Sequence, residues 1–210
     1  MIKKLIIAAC FFVIGSEVSA QEHMPNRVNT YTDEGAATGF SKENLFVGGS
    51  LSLGFGSYNF NVGGGPEIGY SLNKWLDAGV LVNLNYNSER ADPNGYYNAN
   101  IRYRSFNYGA GAFARAFPLP FLFFQVQPEY NWIDYNAKSM STGASASYST
   151  KAPSLLLGIG YGQRVVGQGS FFISLMFDAI SNQNSPYRDR NGGVLPVIKA
   201  GFDVYLHHRG

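Results

Sequence analysis

From residue 45 almost to the end of the chain, apolar and polar side chains alternate with a period of two. Successive side chains of a β-strand point to opposite faces, so this pattern predicts two-faced strands rather than helices. In the first segment Leu45, Val47, Leu51, Leu53 and Phe55 alternate with Gly48, Ser50, Ser52 and Gly54. Seven more segments follow. Ile68 and Tyr70 alternate with Glu67 and Ser71, Val80 and Leu84 with Asp77 and Asn83, and the run from Phe106 to Ala116 with Asn107, Phe113 and Arg115. Then come Phe124 and Tyr130 against Gln125 and Glu129, Leu157 and Ile159 against Gly158 and Gly160, Phe171 to Phe177 against Ser174 and Asp178, and Ile198 to Leu206 against Lys199 and Asp203. Each segment runs about ten residues, and tilted strands of that length cover roughly 25 Å, the height of an outer-membrane apolar band.

The connections alternate in length. Tight links are expected at Asn73-Lys74, 118–120 and 166–169, and long polar ones at 87–100, 136–152 and 181–193. The link at 58–61 is short where a long one is due. Short turns at one end, long loops at the other and an even strand count predict an all-β fold, an eight-stranded antiparallel up-and-down transmembrane β-barrel over residues 44–206. Closure leaves no strand edge with unpaired backbone groups in lipid.

A soluble lipocalin-like barrel has the same period with the apolar face inward. Composition decides the direction. Charged residues make up 14% of the chain, and the polar face is mostly Gly, Ser, Asn and Gln. That is a poor soluble surface and a good crowded interior. Aromatic residues near segment ends (Tyr70, Trp75, Tyr86, Phe117, Phe121, Trp132, Phe171 and Tyr205) fit the two membrane interfaces. Pro128 inside the fifth segment removes a ladder donor, so a bulge is expected there, or a ladder that weakens above Val126.

Before the barrel, Lys3-Lys4, the apolar run 5–15 and Val18-Ser19-Ala20 read as a secretory signal, 1–20, cleaved after Ala20. Cys10, the only cysteine, falls within it, too early in the apolar run for a lipoprotein box, so no disulfide is expected. Removing Lys3, Lys4 and Glu17 takes the formal charge from +2 to +1, and no basic stripe suggests nucleic acid. Residues 21–43 read as a polar arm and 207–210 as a short tail.

The ending Lys199-x-Gly201-x-x-Val204-x-Leu206 resembles the polar-x-Gly-x-x-hydrophobic-x-hydrophobic signal of outer-membrane barrels, with Leu206 in place of the usual aromatic and four residues beyond it. The span 45–206 resembles the small bacterial outer-membrane β-barrel family that includes OmpX and the OmpA transmembrane domain. The resemblance implies a bacterial outer-membrane location, contact with lipid and lipopolysaccharide, and insertion by the barrel assembly machinery through Lys199, Gly201, Val204 and Leu206.

The inward face carries a polar network of Glu67, Asp77, Arg115, Glu129, Asp178, Lys199 and Asp203. Buried charges need partners, and the expected ion pairs are Asp77–Arg115 and Asp178–Lys199. The inward glycines are expected to make room for Phe113, Phe123 and Phe172 reaching across the lumen.

Catalytic, cofactor and metal sites are not expected. The histidines, His23, His207 and His208, fall in the arm and tail, away from any strand serine, and Gly158-x-Gly160-x-Gly162 is strand alternation with no helix after it. Three roles remain. The first is a non-enzymatic structural or surface-interaction barrel whose Tyr-, Ser- and Arg-bearing loops face outward. The second is a narrow pore for small solutes. The third is a membrane subunit of a secretion or assembly complex, with the arm as its periplasmic contact.

Overall fold

The computed structural model describes residues 40–55, 59–89, 101–166, 168–189 and 192–206. The signal segment, the arm as far as residue 39, most of the 87–100 connection and the tail lie outside them, with the expectations on cleavage, lipidation and the histidines.

Eight strands form: β1 (Leu45–Phe55), β2 (Asn59–Asn73), β3 (Leu76–Glu89), β4 (Ile101–Leu119), β5 (Leu122–Ser139), β6 (Ser145–Gly162), β7 (Ser170–Asp178) and β8 (Val197–Tyr205). Each pairs antiparallel with the next, and β1 pairs with β8 from Phe46–Tyr205 to Gly54–Val197, so the sheet closes in up-and-down order. Before β1, residues 40–44 dock on its neighbour. Phe40 stacks on Tyr70, and the Ser41 amide donates to the Tyr70 hydroxyl at 3.0 Å.

The alternation holds, and the apolar face points out. Leu51 is 72% exposed, whereas Asn107 and Asn131 are fully buried in the interior. A soluble calyx requires the reverse. The outer face therefore carries a lipid belt with legible edges. At one edge Trp132 lies against Tyr108 and Tyr130 and pairs in register with Lys151; beyond it the outward positions of β5 become Asp134, Asn136 and Lys138. At the other edge Phe121 packs on Tyr161, and Trp75 is exposed. From Leu122 to Trp132 a tilted strand climbs roughly 25 Å, the thickness of the apolar band. A closed ladder with an apolar exterior of this height makes the chain a transmembrane β-barrel of the outer-membrane type.

Three expectations change, and one resolves between its two alternatives. The 136–152 segment is not a long loop: β5 and β6 are each 18 residues long and meet in a hairpin at 140–144. Ser and Thr at 145–150 alternate with Ala and Tyr, and strand pairing across Lys138–Ser145 holds them extended. Likewise β2 starts at Asn59, within the expected link. Pro128 causes no bulge; instead the ladder weakens just above Val126, the other alternative. Its pairing with Leu155 on β6 is intact, while the β4 ladder lapses opposite Ala112 and Phe113 and resumes in the same register. The missing N–H faces β4, so only that ladder is weakened. Tyr205 is not in an aromatic belt: it is buried, shares a hydrogen bond with Ser71 at 2.8 Å and packs on Phe46.

Candidate functional site in the barrel lumen

The inward side chains form three layers, each set by the strand that carries it. Nearest the short turns lies an aromatic and ionic layer. Arg115, on β4, donates Nη2 to Glu67 Oε1 at 2.6 Å, Nη1 to Asp203 Oδ2 at 3.0 Å and Nε to Gln125 Oε1 at 3.1 Å. Its guanidinium also lies 4.5 Å from the Phe113 ring and 4.2 Å from the Phe172 ring, both within cation–π range. A charge removed from water needs this much compensation.

The rings fit because glycine lies beneath them. A Cβ on Gly160 would come within 2.1 Å of Phe123, one on Gly201 within 2.4 Å of Phe172, and one on Gly69 within 2.2 Å of Phe46. Below this layer Arg164, from the β6–β7 link, clips the turn between β2 and β3. It meets Asp77 Oδ1 at 2.6 Å and donates to the carbonyls of Asn73 and Lys74.

The middle layer is a column on β5, where residues two apart share a face. Gln125 donates to Gln127, and Gln127 donates to Glu129. The Glu129 carboxylate is the hub. It also accepts from Asn131 at 3.4 Å and from the Tyr187 hydroxyl at 2.8 Å, with Lys199 Nζ 3.9 Å away.

The outer layer comes from the connection between β7 and β8, which turns into the barrel instead of away from it. Ser185, Pro186 and Tyr187 are buried. Ser185 donates to Asp178 and shares a hydrogen bond with Ser154, and Arg188 donates to the carbonyls of Asp178, Ile180 and Gly192. The Tyr187 ring packs with Leu156, Met176 and Val197. Burial, and then the negative charge of Glu129, push the Tyr187 phenol well above its ordinary value, so it remains a donor.

All seven expected network residues are buried, but neither expected ion pair forms. Asp77 and Arg115 stand opposite each other in the β3–β4 register, yet Arg164 takes Asp77, and two other carboxylates take Arg115. Asp178 does not meet Lys199, because Lys199 pairs in register with Ser174, four residues down β7. Asp178 instead accepts from the Leu155 and Ile180 amides and from Ser185, while Lys199 turns to Glu129. Of the ending motif, Lys199 and Gly201 face the lumen and Val204 and Leu206 face outward.

Sequence reasoning missed Phe46, Arg164 and Tyr187. Phe46 hides among inward Gly and Ser, and the other two lie in connections, where no period marks a side chain's direction. The Ser185-Pro186-Tyr187 sequence, with an aromatic behind a rigid residue in a polar loop, was the one available signal.

On the outer half of the lumen several buried amide atoms lack a partner: both polar atoms of Asn61 and Asn107, and Asn83 Oδ1. Each such group ordinarily costs about 1–3 kcal/mol. A cavity beside Asn83 and Asn85, lined also by Ser52, Tyr187 and Lys199, has a volume of about 10 Å³, and one beside Arg115, Phe123 and Phe172 is the same size. Either has room for a single water. Among the described residues no His, Cys, Asp and Glu group has a metal-binding arrangement.

No protein-family model matches the chain, and neither does any curated protein. Solved structures do. The chain is similar to Ail, the attachment invasion locus protein of Yersinia pestis, at 12% identity over 76% of this chain and 93% of that one, with a TM-score of 0.42. It is similar to Neisserial surface protein A at 11% identity over 77% and 96%, with a TM-score of 0.41. It is also similar to a major outer membrane protein of Thermus thermophilus, at 14% identity over 75% and 98%, with a TM-score of 0.47. Likenesses this distant say nothing about activity, and the barrel stands on its own closed ladder.

Proposed function

We propose that this chain is a non-enzymatic protein of the bacterial outer membrane that acts through its exposed surface rather than as a pore. The supporting observation is the filled lumen. The Arg115 layer and Tyr187 close it at two levels, and the cavity between them, like the one on the short-turn side of Arg115, holds no more than a water. An eight-stranded barrel has an interior just wide enough for its own side chains.

The surface in question is the wall of β4, β5 and β6. It rises past the lipid edge at Trp132 into a hairpin that is exposed on both faces at 145–149 and carries the stacked pair Tyr135 and Tyr148. β6 pairs with β7 only from Leu156 to Gly162, so above that its outer edge has no partner strand among the described residues. A free strand edge offers backbone donors and acceptors to an extended segment of another protein.

The test is reconstitution of the mature chain in planar bilayers, together with amine labelling of Lys138 and Lys151 on intact cells by a membrane-impermeant reagent. The expected result is no stable conductance step and labelling of both lysines. A reproducible open channel in the wild-type protein overturns the proposal, and so does protection of both lysines on intact cells.

A further inference from the structure

We infer that the outer half of the lumen is a ligand cup for a neutral, hydroxyl-bearing ring such as a monosaccharide, and that the β7–β8 connection covers it with Tyr187. Three observations carry this, of which the Tyr187 cover and the Arg115 floor also enter the surface reading above.

The first is an amide wall with more hydrogen-bonding capacity than the protein fills. Asn61, Asn83, Asn85 and Asn107 are each at least 95% buried and lie on three adjacent strands, with Asn85 and Asn107 directly paired in register. Five of their polar atoms have no partner, and the Asn85 amide nitrogen has only the Tyr187 hydroxyl. The cavity beside Asn83 and Asn85 holds one water and does not reach Asn61 or Asn107, so it cannot serve them all. Glycine at Gly63 and Gly109 makes room for the amide side chains, since a Cβ there would come within 1.8 Å of Asn85 Oδ1 and 2.4 Å of Asn131 Oδ1.

The second is the nature of the cover. Tyr187 brings a ring and a neutral hydroxyl, and that hydroxyl lies between Glu129 and Asn85. The loop thus supplies from within the chain the groups the wall is suited to receive. Amides on one side and an anchored carboxylate at the base match a ring with several hydroxyls. Glu129 and Lys199, 3.9 Å apart, occupy each other, so neither an anion nor a cation finds an uncompensated partner, and an apolar ligand would leave the amides unpaired.

The third is the closed floor. Arg115 between Phe113 and Phe172 separates this half from the short-turn end, so a solute entering from the loop side binds and does not cross.

Ser52→Cys places a thiol on the cavity wall with little change of volume, and Cys10, in the expected signal, is the only natural cysteine. The S52C protein in detergent micelles is labelled with a small thiosulfonate, alone and combined with Y187A or Y187F, and heat-modifiable gel migration verifies folding. Y187A is expected to speed labelling more than about tenfold by opening the cover. Y187F keeps the ring but not the hydrogen bond to Glu129, and is expected to give a smaller rise. D-glucose should then slow labelling of the opened protein severalfold, while sodium chloride at equal osmolarity should not. Unchanged labelling in both Tyr187 variants overturns the cover. Faster labelling that glucose does not slow means the cup holds water only, and overturns the ligand. Should Y187A fail to fold, Y187F with glucose decides on the same readings.

Discussion

A guanidinium away from water is tolerated only where opposite charge and donors' partners surround it, and Arg115 has two carboxylates, one amide oxygen and two ring faces. Arg115→Met keeps most of the volume but leaves Glu67 and Asp203 facing each other. We expect a loss of about 3–5 kcal/mol, measured by urea unfolding in micelles followed by tryptophan fluorescence. Adding Glu67→Gln and Asp203→Asn should restore much of it, because the cost comes from stranded charge and not from lost packing. The glycine seats are equally local. Gly160→Ala sets a methyl against Phe123, whose ring is itself packed against Phe117 and Phe172, so the ring has no free direction to move. Overpacking of this kind should cost about 1–3 kcal/mol in the same unfolding assay. That phenylalanines would cross the lumen over glycine was legible from the sequence, since both residue types fall at inward positions. Which carboxylate each cation meets was not, because a long side chain reaches past its register partner, as Arg115 does past Asp77.

Strands were the most legible level, because a slip of one residue would turn an entire apolar face inward. Strand ends were less so. Above Trp132 the outward face of β5 becomes polar while the backbone remains paired, so a pattern read as the end of a strand marks the end of the lipid. Pro128 shows the same limit. Proline announces a lost donor, but not which neighbour loses it. Here the Pro128 carbonyl points at Gly111 on β4, and the residue's N–H side points the same way. Pro128→Ala should therefore supply a donor to β4. The expected gain is up to about 1 kcal/mol, with slower amide hydrogen exchange at Ala112 and Phe113 and no change along β6. A bulge at this site would instead require the β5–β6 register to shift on substitution.

At the level of the whole barrel, the deciding variable is what touches the apolar exterior. Leu157, on β6 between Val126 of β5 and Phe177 of β7, sits inside the belt, whereas Tyr148, on the same strand, lies beyond the Lys151 edge. Both are exposed, so a soluble protein would accept a charge at either with similar ease. In a bilayer the two positions separate. Leu157→Arg should cost about 2–4 kcal/mol near the midplane, and Tyr148→Arg close to nothing, measured by reversible unfolding in lipid vesicles. Repeated in detergent micelles, which deform around a charge, the gap between the two variants should narrow. Equal costs at the two positions in vesicles would mean that lipid does not reach Leu157, and the belt drawn from Phe121 to Trp132 would have to be redrawn. A large cost at Tyr148 would place the β5–β6 hairpin in lipid too, and with it the surface through which the protein is proposed to act.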